Sequence, residues 1–384
     1  MDNSAYYEVV KETVKQLNNI MNVSLSDRIK DTVKKALGRS VRTKDPLFWH
    51  AGMLMVGLVS ALEYLEKVDD AKEIRDEIKA SLEEHVDLWF RKTAGKVGFV
   101  DDALAGFALI KAYEITGNEK YKKAVDAVSL FLKSAGRDAE GAILYNSGRS
   151  GNIFADGIGQ VSMFMAACDD KEFDSNEQLR LFYKFGMDEE SGLCYHGYEL
   201  RKSDPCFEGF ADKKSDLCDK DFAESGDSSK NAYVSDKKGI LCWGRAFGWL
   251  IMGASINAAL GKADEESFSQ FRSLCEAALK YQRADGGWSW QLQALDGHID
   301  LSATGMIAYA LGYAVNNDVF GEVDLPDKIR AALKKAEECI YAHSDKGIVL
   351  DALSSCDDFA VHYQTYGNYP WGQGAALAAL SVIR

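Results

Sequence analysis

Six stretches of this 384-residue chain put chemically capable side chains where apolar helical runs begin. "FADGIGQVSMFMA" carries Asp156, and "GFVDDALAG" carries Asp101 and Asp102. "FWHAG" carries Trp49, "CWGRAFGW" carries Arg245 and Trp249, "DGGWSW" carries Trp290 just before such a run, and "YGNYPWGQG" carries Trp371. Between them, "CYHGY" adds His196. Carboxylates perform general acid and base work. Indole faces stack on flat ligand surfaces, and a guanidinium fork matches a carboxylate. That combination suits a carbohydrate site.

Each residue also has a plainer reading. An Asp just before an apolar helical run is a standard N-cap. A Trp at the start of a buried helix is usually core. A buried Arg needs a partner, so Arg245 sits in an ion pair or faces a cleft. His196 by itself would be a surface or core histidine. The joint pattern favours chemistry, because six of the seven tryptophans fall at or near these entries and Trp89 alone does not.

The elements that position them follow from helical periodicity. Only 4 prolines interrupt the chain. Segments near 48–66, 102–116, 157–168, 243–259, 301–315 and 372–383 are apolar almost all round, the mark of buried helices. They alternate with amphipathic segments near 4–37 (broken near Asn22), 70–91, 119–135, 174–186, 264–283 and 327–341. Six buried helices alternating with six solvated ones predict six hairpins, an inner ring inside an outer ring, in one domain over 1–384. An internal repeat agrees: "GLVSALEYLEKVDDAKEI" from Gly57 and "GFALIKAYEITGNEKYKKA" from Gly106 both place Tyr (Tyr64, Tyr113) seven residues on, then a polar turn. In such a toroid the entries to the inner helices share one end, so their residues converge. The polar stretch 201–239 reads as one long irregular insert.

Composition excludes other classes. The net charge is -14, and no basic footprint for a nucleic acid is present. No stretch approaches the ~20 apolar residues of a membrane span. The N-terminal residues read as an amphipathic helix rather than a secretory leader. Eight cysteines show neither CxxC nor zinc-like spacing, which suggests reduced thiols in a cytoplasmic protein, with a Cys206–Cys218 pairing as the alternative.

With these residues assembled, residues 45–384 resemble glycoside hydrolase family 105, the unsaturated rhamnogalacturonyl hydrolases, related to the unsaturated glucuronyl hydrolases of family 88. The Trp-x-Arg-x-x-Gly-Trp run of "CWGRAFGW" is the most specific match, joined by "VDDALAG", "FADGIG", "CYHGY" and "PWGQGAALAAL". The resemblance implies an all-α (α/α)6 barrel. It implies a hydrolase that hydrates the C4=C5 bond of a 4,5-unsaturated uronic acid, galacturonyl by first expectation. The substrate would be a small lyase-generated disaccharide, and no metal or cofactor is needed. Asp156 would be the acid/base. Asp101, with Asp102 as fallback, would orient hydroxyls or stabilise the cation. Arg245 and His196 would hold the uronate, and Trp49 and Trp249 would stack on sugar rings, with Trp290 and Trp371 nearby. An apolar wall of Phe154 and Met163 or Met165 would help an acid keep its proton. Three alternatives stand beside this: the glucuronyl version of the same reaction, another enzyme on the same toroid, and a non-catalytic glycan-binding toroid.

Overall fold

Twelve helices make up most of the described chain, which in this computed structural model comprises residues 3–22, 45–145, 151–202, 233–321, 324–357, 359 and 361–384. In order they are α1 (Ser4–Asn19), α2 (Trp49–Leu65), α3 (Lys72–Thr93), α4 (Asp102–Thr116), α5 (Glu119–Lys133) and α6 (Ala155–Ala167). They continue with α7 (Ser175–Gly186), α8 (Gly244–Ala259), α9 (Glu265–Lys280), α10 (Leu301–Asn316), α11 (Leu325–Ala342) and α12 (Pro370–Ile383). The even-numbered helices from α2 to α6, with α8, α10 and α12, pack each on the next, and α12 closes back on α2. This is the (α/α)6 barrel.

Burial follows the two sequence patterns. Every residue of α10 from Leu301 to Val315 is buried. The outer α5 buries only Tyr121, Ala124, Val125, Val128 and Leu132, a stripe at three- and four-residue spacing. Hairpin turns are written locally. Gly117 ends α4 in the left-handed conformation, its N–H bonding to the Tyr113 carbonyl. Asn118 then caps α5 by accepting from the Lys120 N–H.

Ring closure depends on glycine at close approaches. A Cβ on Gly374 would lie 2.3 Å from the Met53 carbonyl oxygen, and one on Gly159 would lie 2.2 Å from that of Trp249. The α2–α12 and α6–α8 backbones therefore touch where any side chain would hold them apart.

Two regions expected as loops contain strands. β1 (Asn152–Phe154), β2 (Gly197–Lys202) and β3 (Tyr233–Lys238) form an antiparallel sheet in the order β1-β2-β3. The ends of the 201–239 insert are thus strands, while residues 203–232 lie outside the described residues. The charged side chains of β2 and β3 mask strands held by backbone pairing, with Lys238 and Asp236 paired at 2.6 Å along β3. Between α11 and α12, six two-residue strands, β4 (Ser344–Asp345), β5 (Ile348–Val349), β6 (Ala352–Leu353), β7 (Cys356–Asp357), β8 (Val361–His362) and β9 (Tyr366–Gly367), pair as β4-β5, β6-β9 and β7-β8. They form a strap across the inner-helix starts.

Helix α1 covers 4–19 of the expected 4–37; most of the remainder, 23–37, lies outside the described residues, as do Cys206 and Cys218. The six described cysteines are all free. No described helix is long and apolar enough to cross a membrane.

Candidate active site

Asp156 is not a helix cap. β1 runs as far as Phe154, so α6 begins at Ala155 with Phe154 in the cap position and no side-chain cap bond. Asp156 falls in the first helical turn, where a carboxylate is favoured by the helix dipole. Its Oδ2 lies 3.3 Å from His196 Nε2. The contact is close without being an aligned hydrogen bond, and Oδ2 has no hydrogen-bond partner among the described residues.

Strand pairing sets this contact. Phe154 stands opposite Gly197 in the β1–β2 register, and the Ala155 N–H donates to the His196 carbonyl at 2.9 Å. Gly197 is required there, since a Cβ would lie 2.1 Å from the Ile153 carbonyl oxygen. The His196 ring is enclosed by Trp243 at 4.4 Å and by Phe154 and Phe359 at 5.1 Å each, all edge-on.

Asp101 and Asp102 point to different tasks. Asp101 Oδ2 accepts from Tyr145 Oη at 3.0 Å. The Tyr145 ring lies 5.0 Å from Phe154 and fills the space a Cβ on Gly157 would need. Tyr145 thereby links Asp101 to the turn that carries Asp156. Nothing in the sequence singled it out. Asp102 is fully buried, and its Oδ2 accepts from the N–H groups of Gly98 (3.2 Å) and Phe99 (3.3 Å). Burial first, then the charges of Asp101 and Asp45, hold its carboxyl well above the usual carboxylate range. Asp102, expected as a substrate contact, clamps the turn before α4.

Among the described residues Arg245 makes no ion pair. It is 1% exposed and donates to Ser302 Oγ (3.4 Å) and to the carbonyl oxygens of Leu353 (2.9 Å) and Ser354 (3.0 Å). Its guanidinium lies 4.7 Å from the Trp243 ring and 5.5 Å from the Trp371 ring. Those hydrogen bonds hold the strap. Trp371 joins it, donating from Nε1 to the same Leu353 carbonyl at 2.9 Å while Tyr369 stacks on its face. Asp300 completes the anchor, accepting from the N–H groups of Ser302 and Leu353 and from Ser302 Oγ.

Trp249, expected to stack on a sugar ring, and Trp371, expected near the substrate, are both buried. Trp249 is 1% exposed with its ring edge-on to Trp49, and Trp371 is enclosed by Trp49, Tyr369 and Arg245. Trp49 and Trp290 are partly exposed.

The sequence profile of Glycosyl Hydrolase Family 88 matches residues 20–214 and 210–383. The chain belongs to this family, and it is a glycoside hydrolase. No curated protein sequence matches it. Three solved structures share the fold of this family 88 chain. A possible family 105 member from Klebsiella pneumoniae superposes with a TM-score of 0.70 at 18% identity, covering 100% of this chain and 93% of that one. An unsaturated glucuronyl hydrolase from Bacillus sp. GL1 gives 0.64 at 15% identity over 98% and 96%. An α-1,6-mannanase from Salegentibacter gives 0.61 at 12% identity over 98% and 98%. The last shows that one toroid serves different glycosides, so chemistry has to be argued from side chains.

The strap brings two further residues to the family 88 site that sequence reasoning missed. Phe359 stacks on Phe154 at 4.0 Å with an 8° interplanar angle. His362 lies 4.7 Å from Trp243, 5.7 Å from His196 and 6.3 Å from Trp290, ring centre to ring centre. Strands of two residues are too short for alternation to reveal them.

Proposed function

We propose that this family 88 hydrolase removes a 4,5-unsaturated uronic acid from the non-reducing end of a lyase-generated oligosaccharide, with Asp156 as general acid and base. The observation that carries the reading is Asp156 itself: it does not cap its helix, it is partly exposed, and it stands against His196 where the inner helices begin. Asp156 as a carboxylic acid delivers its proton to C4. The C4=C5 electron pair forms the new C4–H bond, and positive charge spreads over C5 and the ring oxygen. Water bonds to C5 and returns a proton to the Asp156 carboxylate. The C5 hemiketal opens to a ketone by breaking its bond to the ring oxygen, and the hemiacetal left at C1 expels the aglycone as an alcohol.

In this scheme Asp101, held by Tyr145, faces the developing cation. His196 orients Asp156, and Trp49 and Trp290 offer stacking surface to sugar rings. We take galacturonyl-derived substrates as the first to test. In the unsaturated sugar C4 is planar, so the configuration that separates galacturonate from glucuronate is gone. Preference must be read through the anomeric bond and the aglycone. Free cysteines support action in a reducing compartment, which we take to be the cytoplasm.

The test follows loss of the ultraviolet absorbance of the C4=C5 bond on unsaturated galacturonyl–rhamnose and glucuronyl disaccharides. Wild type is expected to bleach at least one. Asp156→Asn is expected to be slower by on the order of 10²–10⁴-fold with unchanged melting. A fully active Asp156→Asn, or a wild type inert on every such substrate, overturns the reading.

A further inference from the structure

Exposure rises outward from the His196 ring that stands against Asp156. His196 is 1% exposed, His362 and Trp290 are partly exposed, and Tyr363 beside them is 51% exposed. His362 is therefore the second ring out from the reacting carboxylate, and it comes from the strap rather than from the barrel. Its place is built. The strap is pinned below by Arg245, Trp371 and Asp300 through Leu353 and Ser354. Above, Phe359 fits a notch left by two glycines: a Cβ on Gly197 would strike its ring at 2.7 Å, and one on Gly239 would lie 3.2 Å from its carbonyl oxygen.

Both ring nitrogens of His362 are buried and lack an aligned hydrogen-bond partner among the described residues. Its electrostatic neighbours are His196 and Arg245, which oppose a positive charge, and Asp156 and the Phe359 backbone, which favour one. Burial and the first pair prevail and push it down to about 4. Near neutral pH His362 is an uncharged imidazole with one N–H and one lone pair to offer, a match for a sugar hydroxyl rather than for a carboxylate.

We propose that His362 is a specificity-determining contact of this site, a neutral imidazole on the strap that hydrogen-bonds a hydroxyl of the sugar next to the unsaturated uronyl unit. The inference rests on the function proposed above. It names the part of the site that can discriminate substrates whose reacting rings are identical.

Two substrates sharing the unsaturated uronyl ring test it, one a disaccharide and one an aryl glycoside that has no aglycone hydroxyl. His362→Phe keeps the ring stacking and removes both nitrogens; His362→Gln restores a donor and an acceptor. For His362→Phe, kcat/KM on the disaccharide is expected to fall about tenfold further than on the aryl substrate, mainly through KM. His362→Gln is expected to recover most of the loss. Equal losses on both substrates, or none on the disaccharide, overturn the proposal while leaving the reaction intact. A wild type that consumes neither substrate overturns the reaction and this inference with it.

Discussion

His196 Nε2 and Asp156 Oδ2 stand 3.3 Å apart because a strand pair, not a helix, brings them together. Asp156 is on α6 and His196 just precedes β2, 40 residues later by number, with the Ala155 N–H bonded to the His196 carbonyl between them. If this contact orients the acid, the two side chains act as one unit. His196→Phe is expected to lower kcat on the order of 10–10²-fold while the ring still fills its aromatic cage. Adding it to Asp156→Asn is expected to cost nothing further, since residues that act as a unit are non-additive. Steady-state rates for the two single variants and the double variant check this, and an additive double variant contradicts it.

Arg245 carries the strap, so its substitution is expected to show in stability first. A lysine has one ammonium head and cannot reach two successive carbonyls in the fork geometry of a guanidinium. Arg245→Lys is expected to cost roughly 1–3 kcal/mol, with at least one buried carbonyl left unpaired. Denaturant unfolding measures the loss, and limited proteolysis is expected to cut first between residues 354 and 369. A variant as stable as wild type would show that the strap is held by other means.

The barrel was legible because ring closure demands it. Helices apolar on every side can only be interior, and their alternation with striped helices fixes six hairpins without any long-range information. Boundaries of the inner helices agree to about two residues, and one such residue mattered. Placing the start of α6 at Gly157 made Asp156 a cap; β1, three residues long and set by pairing with β2, moves the start to Ala155 and frees the carboxylate. Arg245 was legible as unusual but not as a strap anchor, because its partners are backbone carbonyls 108 and 109 residues away that no side-chain pattern reports. Tyr145 and Phe359 lie in irregular segments and His362 in a two-residue strand, where spacing carries no phase, and only the folded chain shows what they face.

Asp102 makes a pH-dependent contribution of definite sign. Its folded-state carboxyl is raised above the ordinary 3.8 by burial and by the neighbouring Asp101 and Asp45 charges. The folded protein therefore keeps a proton that the unfolded chain has released. The stability this contributes is fully present below the unfolded value and is lost as pH rises through the folded one, each displaced unit being worth about 1.4 kcal/mol. Asn at this position still offers an oxygen to the Gly98 and Phe99 N–H groups and never ionises. Asp102→Asn is expected to be more stable than wild type near neutral pH, with the gap closing as pH is lowered toward 4. Melting temperatures of both proteins from pH 4 to 8 measure the gap. A constant difference across that range, or a destabilised Asn variant, would mean that Asp102 is ionised in the folded protein.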